Sequence, residues 1–195
     1  HKDNIIFVAH STGGIVARYL VEAYRDKFVG KRIGFCLYAS PSYGSKWSSF
    51  FGVIARLFNN KLALELNWAS PILEDLDARF LKLLSTNSLC ISGIEAYENR
   101  APFGLPFFNT RVVEESSATR YFGNGVLIPG SDHTSIVKPT TIDSRSHQVL
   151  LDFVVSENLL STQDVPSIFG NPSLFDRYKP EFENFYVERE ADKAL

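Results

Sequence analysis

The run Asn4-Ile5-Ile6-Phe7-Val8 sets four large apolar side chains in succession, and five residues later the apolar spacing becomes helical. A short, uninterrupted β-branched and aromatic stretch is the pattern of a strand covered on both faces. From Gly13 to Arg25, Ile15, Val16, Tyr19, Leu20, Ala23 and Tyr24 recur at three- and four-residue intervals, with Arg18, Glu22 and Arg25 elsewhere on the wheel. That predicts an amphipathic helix. Ile33 to Tyr38 repeats the buried-strand pattern, and Ala39-Ser40-Pro41-Ser42-Tyr43-Gly44-Ser45 behind it is turn-forming. The opening of the chain is thus constrained to two parallel strands joined by a helix.

The rest of the chain continues the alternation. Residues 47 to 84 carry helical periodicity twice, through Phe51, Ile54, Leu57 and Phe58 and then through Leu73, Leu76, Phe80, Leu83 and Leu84, which predicts a helical insertion. Strands are expected at Leu89 to Ile94, Arg111 to Val113 and Val126 to Ile128, and a last helix from about Ile142 to Leu159. Such a pattern implies a largely parallel α/β sheet covered on both sides, with ligands at the carboxyl ends of its strands. Ser161 to Ser173 reads as a linker, and Tyr178 to Leu195 lacks a core of its own. The expected division is residues 1–160 and 161–195.

Composition narrows the function classes. Of 195 residues 45% are apolar, as a packed core needs, and a net charge of −2 with no basic run offers no footprint for nucleic acid or an anionic membrane. Cys36 and Cys90 each lie in an apolar run, which argues against a disulfide scaffold and a cysteine metal site and favours a cytoplasmic setting. No apolar stretch reaches the ~20 residues of a membrane span. The chain contains no Met, so it is expected to be a fragment, inactive alone, with any targeting signal upstream.

Ala9-His10-Ser11-Thr12-Gly13, between the first strand and first helix, resembles the G-x-S-x-G nucleophile elbow with Ala for the first Gly. The elbow strains the serine backbone, so the residues two positions to either side must be small enough for strand and helix to pass. Ser11 is the candidate nucleophile, against the plainer role of a helix-capping serine. Thr12 N–H would serve the oxyanion. His133, in a loop behind the last strand, is the candidate base, against a turn histidine held by Asp132. His1 is terminal, His10 should point away from the serine, and His147 lies within a helix. For the orienting acid the chain order serine, acid, histidine leaves several carboxylates. Glu95, taken to end the third strand, is favoured, with Glu98 close behind it and Glu114 and Glu115 as rivals.

Phe7-Val8-Ala9-His10-Ser11-Thr12-Gly13-Gly14, Ala39-Ser40-Pro41 with Gly44-Ser45, Ser92-Gly93-Ile94-Glu95, Val112-Val113 with Ser117-Ala118, and Asp132-His133 with Ile136-Val137-Lys138-Pro139 together resemble the lipase-like α/β-hydrolases of the GPI-inositol-deacylase and SERAC type. The resemblance covers about residues 4 to 155. It implies the C-terminal half of that fold, with catalytic Ser11 and His133, no cofactor or metal, and a small-molecule or lipid ester as substrate. Related lipases place an aspartate where this chain has Thr110. The strands ahead of the elbow and the loop giving a second oxyanion amide would lie upstream. The stretch Leu174 to Glu190 is similar, more loosely, to segments leading into NACHT-like ATPase domains, implying an NTPase partner domain in the parent chain. The expectation is a serine esterase. The alternative is a catalytically silent hydrolase-fold sensor in a signalling or defence ATPase. The insertion from Trp47 to Leu84 would cap the site or simply cover the core.

Overall fold

A computed structural model describes residues 3–41, 70–100, 120–123 and 125–159. Contacts divide the chain into units His1–Leu159 and Leu160–Leu195, and all described residues belong to the first. Strands β1 (Asn4–His10), β2 (Arg32–Tyr38), β3 (Cys90–Glu98) and β4 (Gly125–Ile128) form one parallel sheet in the order β1-β2-β3-β4. Helices α1 (Gly13–Ala23), α2 (Ser70–Ser85) and α3 (Arg145–Ser156) accompany them. The protein is therefore an α/β protein. No helix among the described residues is long and apolar enough to cross a membrane.

The two-residue period of a strand decides which face each side chain serves. In β2, Ile33, Phe35 and Leu37 share a core with Ala17 and Val21 of α1 and Phe80 and Leu83 of α2. Phe35 stacks on Phe7 of β1 at 5.3 Å and meets Phe80 edge-on at 5.5 Å. The alternate residues turn the other way. A Cβ on Gly34 would run into Phe153 and Leu159, and Tyr38 Oη donates to Ser146 O of α3 at 2.5 Å. Thus α1 and α2 cover one face of the sheet and α3 the other, and each strand alternates its residues between them.

Several elements differ from their sequence pattern. β1 runs two residues further than Val8, because Ala9 and His10 stay in register with Leu37 and Tyr38. α1 stops at Ala23 and tightens into a 3₁₀ turn at Arg25–Phe28. Its buried side is also rotated from the apolar stripe: Val16, Tyr19, Leu20 and Tyr24 are exposed, while Arg18 is buried. The Arg18 guanidinium donates to Pro41 O at 2.7 Å and lies 4.6 Å over the Tyr121 ring, so its charge is accommodated where its stem covers the core. β3 continues from the expected end near Ile94 to Glu98, a shift that matters for the site. The expected strand at Arg111 to Val113 and the insertion before Ser70 lie outside the described residues.

Candidate active site

β1 ends in a reversal that only a particular backbone permits. Ser11 has φ +54°, a left-handed value uncommon for a residue with a side chain. The turn is fixed from both sides: Ser11 N donates to Tyr38 O at 2.9 Å, and Ser11 O accepts Gly14 N at 3.1 Å. A Cβ added to Gly13 would sit 3.8 Å from Ala9 Cβ, an ordinary contact, so the small residue at position 9 leaves just enough room for the helix. The tighter glycine is Gly14. A Cβ there would overlap Ser40 Oγ and lie 2.7 Å from Ser40 Cβ, so α1 starts pressed against the end of β2.

His133 stands in the loop between β4 and α3, its side chain fully buried, with Nε2 3.0 Å from Ser11 Oγ. Asp132 shapes that loop. Its Oδ1 accepts Thr134 N at 2.9 Å, Ser135 N at 2.8 Å and Ser135 Oγ at 2.9 Å. Partial burial pushes the Asp132 carboxyl up, but these hydrogen bonds and the nearby His133 outweigh it and hold the group below the usual carboxylate range. The loop is also stitched to the end of β3, since Gly130 N donates to Asn99 Oδ1 at 2.8 Å and Arg100 N to Ser131 O at 2.9 Å.

The acid at the imidazole is Glu98 rather than Glu95. Glu98 Oε1 lies 3.5 Å from His133 Nδ1, and both side chains are fully buried. Glu95 pairs in register with Leu37 and so faces α1 and α2, where its carboxylate accepts Tyr121 N at 3.1 Å and Phe122 N at 3.4 Å. Three residues further along a strand, Glu98 faces the other way, toward the histidine loop. In the sequence a carboxylate after an apolar run marks a strand end, which points to Glu95. Here the strand continues, since both carboxylates are buried with partners. Glu114 and Glu115 lie outside the described residues.

Proximity therefore joins Ser11, His133 and Glu98. A carboxylate facing Nδ1 favours the tautomer protonated there, leaving the Nε2 lone pair for the Ser11 hydroxyl proton. Thr12 opens α1, where the first N–H groups have no partner within the helix and the helix dipole is positive. Its carbonyl accepts Ile15 N at 3.0 Å and Val16 N at 3.2 Å, which ties Thr12 to the first turn of the helix.

A second histidine stands beside these three residues. His10 faces the α3 side, and its Nε2 lies 2.7 Å from His133 O, with the two rings 4.9 Å apart at 42°. Burial, followed by the nearby His133, lowers the His10 pKa below 6.5. The local pattern turns His10 away from the serine but carries no record of the His133 carbonyl, 123 residues away, that it reaches.

Among the described residues no group of three or more His, Cys, Asp or Glu is arranged to hold a metal ion. No protein-family model, curated protein or solved structure matches the chain.

Proposed function

We propose that the chain is a serine hydrolase of the α/β-hydrolase fold that cleaves an ester or related acyl bond. The observation that carries the reading is the approach of Ser11 Oγ to His133 Nε2 at 3.0 Å from a serine held at φ +54°. A capping serine needs neither the strained backbone nor a buried imidazole partner. In the proposed reaction Ser11 Oγ attacks the acyl carbon while its proton passes to His133 Nε2, and Thr12 N–H supports the oxyanion. Glu98 steadies the imidazolium that forms. The proton then moves to the leaving alcohol oxygen as the C–O bond breaks, and a water molecule repeats the sequence on the acyl-enzyme, releasing the acid and restoring Ser11.

The resemblance to the GPI-inositol-deacylase and SERAC type supports a lipid or small-molecule ester as substrate, and the looser likeness of Leu174 to Glu190 to segments leading into NACHT-like ATPase domains supports an NTPase partner domain. Cytoplasmic residence belongs to the same proposal, and the free thiols of Cys36 and Cys90 accord with it. A fluorophosphonate probe tests the reading. It should label the full-length protein on Ser11, and Ser11→Ala should abolish both labelling and ester hydrolysis. Undiminished labelling of the variant would overturn the assignment.

A further inference from the structure

We propose that His10 is a positioning residue for the base: through its imidazole N–H it fixes the backbone of His133, and so the distance from Nε2 to Ser11. The inference rests on the serine hydrolase reading. The carbonyl oxygen of His133 can only accept, so the 2.7 Å contact requires the proton on His10 Nε2. His10 is the last residue of β1, in register with Tyr38, and Ser11 follows it directly. The strand end that presents the nucleophile therefore also grips the loop that presents the base. The bond thus ties the base to the strand end that carries Ser11, across a 122-residue separation in the chain.

The arrangement separates two jobs on two neighbouring residues of one strand. Ser11 contacts the ring of His133, and His10 contacts its main chain, so a sliding motion of the loop must break both contacts. The grip does not require a charge. His133, Glu98 and Lys138 are the titratable groups that act on His10, and a neutral His10 adds no repulsion when His133 takes up the serine proton. A histidine is also suited by reach, since its Nε2 stands further from the backbone than an asparagine amide. Glutamine places its amide nitrogen near the same point, whereas phenylalanine keeps the ring and loses the donor.

The test compares the wild type, His10→Gln and His10→Phe in the full-length protein by fluorophosphonate labelling, separating the maximal labelling rate from the probe's half-saturating concentration. Because a misplacement near 1 Å costs on the order of a hundredfold in rate, His10→Phe should lower the maximal rate by about 10- to 100-fold without moving half-saturation. His10→Gln should stay within about threefold. A wild type that labels on Ser11 while His10→Phe labels equally fast overturns the positioning role and leaves the hydrolase reading standing. A wild type that does not label overturns the hydrolase reading. Imidazole nitrogen NMR then decides the positioning on its own. His10 should show a slowly exchanging proton on Nε2, and the His133 signals should move further in His10→Phe than in His10→Gln. A His10 protonated on Nδ1 alone, read in the wild type even if the phenylalanine variant fails to fold, refutes the grip.

Discussion

Replacing Gly14 by alanine sets two effects of known size against each other. Alanine is the better helix former by at most about 1 kcal/mol, and less in a first turn. Against this, the new methyl would overlap Ser40 Oγ, lie 2.7 Å from Ser40 Cβ and sit 3.3 Å from Leu37 Cδ2. The hydroxyl can rotate aside, but the Ser40 Cβ is fixed to the backbone behind β2, so the helix start or the strand end must move. Overpacking of that kind costs about 1–3 kcal/mol, and with the contact nearly rigid the upper half of that range applies. The expected net loss is about 1–2 kcal/mol, or roughly 2–8 °C in melting temperature for a unit of this size. Urea denaturation measures it. Gly13→Ala is the matched control, because its methyl meets only Ala9 Cβ at 3.8 Å and Gly13 does not occupy a positive φ. It should be neutral or slightly stabilising. Adding Ser40→Gly to Gly14→Ala should recover most of the loss as a positive coupling in a double-mutant cycle. A Gly14→Ala protein as stable as the wild type, or a cycle without coupling, would refute the account of how α1 is seated.

Four further substitutions test the site and its loop. Glu98→Gln should slow fluorophosphonate labelling by two or more orders of magnitude, on the order expected when an imidazole loses its orienting carboxylate. Glu95→Ala should instead cost about 1–3 kcal/mol of stability, by stranding the amides of Tyr121 and Phe122, and leave labelling near the wild-type rate; the reverse ranking would return the acid to Glu95. Asp132 has a folded pKa below its ordinary 3.8, so its contribution is complete above that value and is lost as pH falls through the lower, folded one. Urea midpoints between pH 5 and 3 should therefore fall more steeply for the wild type than for Asp132→Ala, and equal slopes would contradict the loop hydrogen bonds. For His10 the folded pKa lies below 6.5, so between the two values the unfolded chain binds more protons and stability drops on acidification. His10→Gln should lose that part of the pH slope below 6.5, and an unchanged slope would contradict the burial of the ring.

The strands that carry the site were legible because they are buried on both faces and so are written in consecutive apolar residues: Ile33 to Tyr38 is nearly the observed β2. Ser11 and His133 were legible from their places behind such runs. Glu98 was not singled out because β3 departs from the apolar code where it does its work. The stretch Glu95-Ala96-Tyr97-Glu98 is paired with β4 as strand, and its carboxylates are tolerated there because Glu95 accepts the amides of Tyr121 and Phe122 on one face and Glu98 faces His133 on the other. Those partners are 26 or more residues away, and a local pattern carries no record of them. Arg18 escaped for a similar reason. A charged residue on a helix wheel is assigned to solvent, and its burial depends on Pro41 O and the Tyr121 ring, which come from other parts of the chain.

The separation of 122 residues between Ser11 and His133 has a consequence for biosynthesis. A ribosome adding roughly 5–20 residues per second takes about 6–24 s to travel from one to the other. Throughout that interval the serine is already outside or within the exit tunnel without its base, and β4 has not yet been added beside β3. On the proposed mechanism the nascent chain is thus an unarmed nucleophile, and it acquires reactivity in a single late step, when the fourth strand pairs and carries the histidine loop over the sheet. Among the described strands the order along the sheet is also the order along the chain, so the histidine loop follows the last of them.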